Sequence, residues 1–351
     1  MNGRVAEALR AHNSDDELAV VVIARNESRH IGMCLDALMR SLEGYPTARV
    51  LLVDSGSTDA TVEIASHYAI HIYRYAGPPY TAAAGRRVGF ERTNARYVLF
   101  VDGDCCVEPG WIELALARLR RDPSAGVIYG QRREIFEDTP EHAAVAAPPA
   151  AEYGMGGNAL YRADAMREAG GFNPYLKAGE EAELLGRIVA CGYRQLATPE
   201  VMFTHHTLAK STVRGFMSRL RRGLSRGTGQ TLRLALAQGL FFYHARRLNR
   251  YLITCAYLIA GVLAVVASTA VRSAAPFAAW LSCGVLGFTL LCYRRHSVRS
   301  AAFIIADWVS VAIHLPADFL RKPLHADGFD PDVEQLRHVN PQRHLNVQPW
   351  M

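Results

Sequence analysis

Two uncharged runs stand almost back to back in the C-terminal half of this chain. Residues 251–271 offer 21 positions without a charged side chain, and residues 274–293 offer 20 more. A helix of about 20 apolar residues spans the roughly 30 Å hydrocarbon core of a bilayer. Core helices of a large domain are the competing explanation, but two such runs in succession, each flanked by arginine, point to membrane spans. The surroundings agree. Residues 201–306 contain no Asp or Glu but 14 Lys and Arg, ten of them between 210 and 250, so the net charge of +6 is concentrated there. The positive-inside rule then sets residues 208–250, and Arg294, Arg295 and Arg299, on the cytosolic side, with Arg272 in a short outer turn. Residues 301–320 carry Asp307, His314 and Asp318 and read either as a third span or as an interfacial amphipathic helix, which would keep Arg321 and Lys322 inside. The tail from 321 to 351 is polar and reads as loosely ordered.

Residues 18–207 are of a different kind and contain most of the acids. Residues 18–24 (LAVVVIA) form a continuous apolar run of strand length, as expected for a strand buried on both faces of a parallel sheet. Residues 31–42 place Ile31, Leu35, Leu38 and Leu42 on one helical stripe. Strands follow at 50–53, 70–73 and 97–101, with helices at 59–67, 81–93 and from Pro109 to 119; Ser57 or Thr58 is a suitable cap for the helix at 59–67. Strands alternating with helices predict an α/β fold with a mostly parallel, doubly wound sheet. Further helices are predicted at 163–168 and 180–190, and residues 138–157, rich in Ala, Pro and Gly, read as a mobile loop. Residues 1–17 form a polar extension without the apolar core of a signal peptide, so the first domain is expected in the cytosol. Seven cysteines without a C-x-x-C pair give no zinc site or disulfide framework.

Ligands of such sheets bind beyond the carboxyl ends of the strands, and Asn26, Asp54 and Asp102 all follow strand ends. The run VLFVDGD delivers Asp102 and Asp104 from an apolar strand, where carboxylates are poorly tolerated without a cation. Two carboxylates so placed can hold a hard divalent metal, and such a metal commonly carries substrate phosphates.

The ordered set VVIARNE, VDSGSTD, AAAGRRVG, FVDGD, GGF and GEEAEL resembles family 2 glycosyltransferases of the GT-A fold, over roughly residues 18–207. The resemblance implies a nucleotide-sugar donor, a UDP- or GDP-sugar, held by Ala24, Arg25, Asn26, Glu27, Asp54 and Asp59, with Arg86 near the diphosphate; Arg87 stands beside it, and which of the two turns inward is open. Asp102 and Asp104 match the family's D-x-D. Asp104 is then the direct ligand of Mg2+ or Mn2+, Asp102 lies toward the ribose or the metal's water, and His205 or His206 is a further ligand. Glu180 and Glu181 match the family's acidic pair; Glu181 replaces its usual Asp as general base, and Glu183 is the fallback. The implied reaction is a single displacement with inversion, at the cytoplasmic face of the cell inner membrane, in a multi-pass protein. The acceptor is expected to be lipid-linked or a glycan, as in polysaccharide precursor synthesis. The Q-x-x-R-W motif of processive members is missing; the nearest stretch is SRLRRGL at 218–224, which argues for single additions.

Two other classes compete. A membrane-anchored scaffold that binds nucleotide without turnover would tolerate Glu181 in place of Asp. A sugar nucleotidyltransferase would be expected to open with a glycine-rich phosphate loop, where this chain has RNES. Nucleic-acid binding is disfavoured because the basic run leads directly into a membrane span.

Overall fold

The computed structural model describes residues 17–138, 145–146, 157–322, 324 and 326–339. The extension before residue 17 and most of the 138–157 loop lie outside the described residues. Strand β1 (Leu18–Ala24) is buried along its whole length, as its unbroken apolar run requires. It pairs in parallel with β2 (Arg49–Asp54) on one side and β4 (Tyr97–Asp102) on the other. Beyond β2 lies β3 (His71–Ala76), also parallel. Helices α1 (Ile31–Ser41), α2 (Thr61–Ala65) and α3 (Ala82–Phe90) make the crossovers. Thr81 caps α3 by accepting from the Ala84 N–H at 3.0 Å. At α2 the predicted caps do not form: Ser57 and Thr58 bond to Asn26 instead, and the helix starts at Thr61. The chain turns from β1 toward β2 and later returns to the other side at β4, so the β1/β4 ends form the crevice of a doubly wound sheet.

The second half of the sheet departs from the parallel expectation. After β5 (Cys105–Val107) and α4 (Trp111–Arg121) come β6 (Ala125–Phe136), β7 (Val145–Ala146), β8 (Ala159–Arg162), α5 (Ala163–Glu168), α6 (Glu180–Ala190) and β9 (Arg194–Thr207). β8 is antiparallel to both β4 and β6, β5 is antiparallel to β9, and β6 pairs in parallel with β9. The result is a mixed sheet. β6 and β9 are long and only partly buried toward their C-terminal ends, so neither shows the continuous apolar run that marks β1.

The basic segment holds three helices: α7 (Val213–Arg221), α8 (Thr228–Ala237) and α9 (Phe241–Arg247). Then come α10 (Asn249–Ala270), α11 (Ala275–Arg295) and α12 (Val298–Leu320), each long and apolar enough to cross a membrane. α10 and α11 expose their apolar side chains almost everywhere, Leu263, Val266 and Leu286 among them. α12 is more covered, because α7 and α8 lie along it.

The expectation of a loosely ordered tail fails for residues 332–337. They form β10 (Asp332–Arg337), antiparallel to β3 at the sheet edge. Tyr175 OH donates to the Gly328 carbonyl at 3.1 Å, and Tyr175 meets the Phe329 ring edge-on. An exposed edge strand satisfies its backbone groups by adding a neighbour, and polar composition gives no sign of that pairing.

Candidate active site

The β1 and β2 ends are laced together by backbone N–H groups. Asn26, in the left-handed region at φ 57°, donates its N–H to Ser57 Oγ at 2.9 Å and accepts from the Thr58 N–H at 2.8 Å. Glu27 donates its N–H to Thr61 Oγ1 at 2.8 Å. Asp59 accepts from the Ser28 N–H and from Thr61; against a burial cost, these bonds hold its carboxyl at about 2. Asp54 is fully buried and accepts from Arg74 Nε at 2.8 Å and from the Ser57 N–H. Arg25 lies 4.3 Å from the centre of the Tyr80 ring, at the open side of the crevice beside Ala24.

Arg86 is the inward arginine. Its side chain is 2% exposed; Nη2 donates to Asp102 Oδ1 at 2.8 Å and Nη1 to Glu180 Oε1 at 3.0 Å, with Glu181 Oε1 at 3.7 Å. Arg87 turns away and binds Glu91 and the Gly170 carbonyl. One guanidinium cannot neutralise three carboxylates. Burial, and then Glu181, push Glu180 up to about 8 despite its Arg86 partner. Glu181 is the more open of the pair, at 18% side-chain exposure against 7%. Glu183 is buried and paired with Arg187 at 2.6 and 2.8 Å, so its carboxylate is committed to the helix packing.

Asp102 is held from one side by two donors and stays partly exposed. Besides Arg86 it accepts from Asn158 Nδ2 at 3.0 Å, while its own N–H donates to Asn158 Oδ1 at 2.7 Å. Gly157 is required here, because a Cβ at that position would fall 1.6 Å from the Arg86 Cζ. Neither Gly157 nor Asn158 carried a signal of such a role in the sequence.

Asp104 faces a different group. Its Oδ2 lies 3.2 Å from His205 Nε2, and Cys105 Sγ completes a cluster whose ligand atoms are within 4.8 Å of one another. Burial works against ionisation of Asp104, but the His205 contact prevails and its pKa is lowered. Glu27, nearby, is pushed up to about 7 by burial and then by Asp104. A cation placed here would offset this local excess of carboxylates. His205 Nδ1 is buried without a hydrogen-bond partner. The Asp104 carboxylate suits Mg2+ or Mn2+, and the His205 imidazole, a softer donor, suits Mn2+ better than Mg2+. The thiol of Cys105 suits them poorly, since burial drives its pKa up and keeps it protonated. Asp102 does not join this cluster. Neither does His206: successive strand residues point to opposite faces, and His206 stacks on His30, with ring centres 5.7 Å apart. His30 in turn meets Glu137 at 2.6 Å and Glu27 at 3.5 Å. Glu137, 107 residues from His30, carried no signal in the sequence.

A mixed α/β sheet with a three-helix apolar C-terminus and an acidic, arginine-bridged crevice at its switch point defines a GT-A-type protein. Residues 19–172 match the model for glycosyl transferase family 2, and this stretch is a family 2 glycosyltransferase domain. Glycosyltransferase AglE of Haloferax volcanii is 23% identical over 232 residues, covering 61% of this chain and 72% of AglE. The pre-mycofactocin glycosyltransferase of Mycobacterium tuberculosis is 25% identical over 214 residues, 55% of this chain but only 43% of that protein. Among solved structures, mannosyltransferase PcManGT from Pyrobaculum calidifontis, in complex with GDP-Man and Mn2+, superposes with a TM-score of 0.61 at 20% identity, over 88% of this chain and 92% of that one. That likeness establishes the fold.

Proposed function

We propose that the chain is a non-processive inverting glycosyltransferase that moves a sugar from a UDP- or GDP-sugar to a hydroxyl of a lipid-linked or glycan acceptor at the cytoplasmic face of the inner membrane. The observation that carries this reading is the Arg86 bridge. One guanidinium ties the β4 carboxylate Asp102 to the first turn of α6, which leaves Glu181 as the more open acid at the crevice. Arg25, Asn26, Glu27 and Asp59 frame the nucleotide side, with Arg25 on Tyr80 as a flat cationic wall.

Glu181 takes the proton of the acceptor hydroxyl. The oxygen attacks the anomeric carbon, the bond from that carbon to the diphosphate oxygen breaks, and its electron pair leaves with the nucleoside diphosphate. One displacement inverts the centre. Arg86 holds Asp102 and Glu180 in place, and burial raises the Glu180 pKa, which eases the crowding of negative charge beside the base. Asp104 and His205 would hold Mg2+ or Mn2+, which when bound supplies positive charge to the diphosphate. The test is Glu181→Gln in the purified full chain with Mn2+ and a panel of UDP- and GDP-sugars. Transfer should fall by about 10²–10⁴-fold with nucleotide binding retained; full transfer by Glu181→Gln would overturn the assignment. Nucleotide binding without turnover by the unaltered chain would favour the scaffold reading.

The membrane arrangement follows from how the ends are tied. α9 packs on α6 just before α10 begins, and β10 joins the sheet just after α12 ends. These ties at both ends of the helical region support placing them on one side, with an even number of crossings. α12 is held to the basic helices over most of its length. Arg219 pairs with Asp307 at 3.0 Å, the Gly227 N–H donates to Asp318 at 2.8 Å, and Arg233 donates to the Phe319 and Leu320 carbonyls. We infer that α10 and α11 cross as a hairpin while α12 stays at the interface, where its two acids have partners.

A further inference from the structure

Three donors of different chemistry meet at the β5–β9 junction. Cys105 and His205 are partners across that antiparallel pair, and residues so paired put their side chains on one face of the sheet. Asp104 precedes β5 and serves both neighbours. Its Oδ2 is 3.2 Å from His205 Nε2, and its Oδ1 accepts from Cys105 Sγ at 3.5 Å. The sulfur is an acceptor as well, since Asn158 Nδ2 donates to it at 3.7 Å. One oxygen, one nitrogen and one sulfur ligand atom thus lie within 4.8 Å of one another. In a tetrahedral site with bonds of about 2.0 Å to O and N and about 2.3 Å to S, neighbouring donors are about 3.3–3.6 Å apart. Both Asp104 contacts are close to that spacing. Asp104 and His205 are about a fifth exposed, while Cys105 is 1% exposed. An ion would enter past the carboxylate and the imidazole and meet the sulfur at the back.

The sulfur decides which ion gains most. Mg2+ and Mn2+ favour oxygen, whereas a thiolate favours Zn2+, and affinity for mixed donor sites rises from Mn2+ toward Zn2+. The proton that bridges Cys105 Sγ to Asp104 Oδ1 stands where a cation would join the same two groups. On coordination the S–H bond breaks, its electron pair stays on sulfur to bind the metal, and the proton leaves to solvent. Asn158 supplies the outer partner. Its amide donates to both Cys105 Sγ and Asp102 Oδ2, and such hydrogen bonds orient metal ligands. Cys106, the next residue, pairs with Thr204 and faces the other side of the sheet.

We propose that Cys105 is a metal ligand that makes this site prefer Zn2+ to Mn2+ and Mg2+, with Asp104 and His205 as the other protein ligands and a fourth position left open. Zinc then displaces manganese from the crevice. The proposal shares two ligands with the glycosyl-transfer reading but does not depend on transfer. The probe is Co2+, a spectroscopic stand-in for Zn2+, added to the purified full chain under reducing conditions. A sulfur-to-cobalt charge-transfer band in the near ultraviolet is expected, and Zn2+ should abolish it. The band should vanish in Cys105→Ser and Cys105→Ala and persist in Cys106→Ser. Zn2+ affinity should fall in Cys105→Ser by at least about tenfold, the lower end of the loss seen when only an outer partner of a metal site is removed. Mn2+ affinity should change little. The unaltered chain carries the test even if the Cys105 variants do not fold: a Co2+ complex without the sulfur band overturns the proposal. So does a band that survives in Cys105→Ser, or an equal loss of Zn2+ and Mn2+ affinity in that variant. Sugar transfer with Mn2+, measured on the same preparation, reports the other reading separately. A sulfur band without transfer supports this proposal and counts against the transferase, while transfer without a sulfur band does the reverse.

Discussion

Arg86 Nη2 donates to Asp102 Oδ1 at 2.8 Å, while Nη1 of the same side chain donates to Glu180, 94 residues further along. A single buried cation therefore joins the end of β4 to the start of α6. Removing one partner of a buried charge network leaves the others uncompensated, at a cost of about 3–5 kcal/mol. Arg86→Ala should lower the melting temperature markedly. Arg86→Lys should recover only part of the loss, because an ammonium cannot fork to both acids. An unchanged urea midpoint for Arg86→Ala would show that the bridge contributes nothing.

The two histidines of β9 should separate cleanly. Mn2+ affinity, read by isothermal titration in the presence of UDP or GDP, should fall in Asp104→Asn and in His205→Ala. The loss should at least match the roughly 10–100-fold known for weakened outer partners of metal sites. His206→Ala should bind Mn2+ nearly as the unaltered chain does, since its ring turns to His30. Equal losses at 205 and 206 would refute the assignment.

Stability should fall in mild acid. His244 is fully buried between α9 and α6, and burial lowers its pKa to about 4 from 6.5. Between those values the unfolded chain binds the proton and the folded chain does not, so stability rises with pH across the window. The contribution is complete above pH 6.5 and is lost as pH falls toward 4. Urea melts at pH 5 and pH 7.5 should differ more for the unaltered chain than for His244→Gln. The same difference in both would exclude His244 as the cause.

Topology can be read by labelling. Single cysteines introduced at Arg272, in the α10–α11 turn, and at Asp330, before β10, should react with a membrane-impermeant maleimide from opposite sides of sealed vesicles. A cysteine at Ser297, between α11 and α12, should label from the Asp330 side. Labelling of Ser297 and Asp330 from opposite sides would mean that α12 crosses.

The sequence alone determined the parallel β1–β4 core and the apolar hairpin, because both rest on local patterns. An unbroken Val/Ile/Leu run needs cover on both faces wherever it folds, and 20 uncharged residues need hydrocarbon or a core. It also brought Arg86, Asp102, Asp104, Glu180 and Glu181 forward as a set. Only the tertiary structure decided what each one faces. Arg86 rather than Arg87 turns inward, because Gly157 leaves room for its guanidinium. Asp102 is held by Arg86 and Asn158, while Asp104 meets His205 across the β5–β9 pairing. Residues 332–337 of the polar tail become β10, and the acids of α12 find Arg219 and the Gly227 N–H. These are contacts between residues tens to hundreds of positions apart. Periodicity carries no record of such partners, because it reports which face a side chain occupies and not what another segment brings to it.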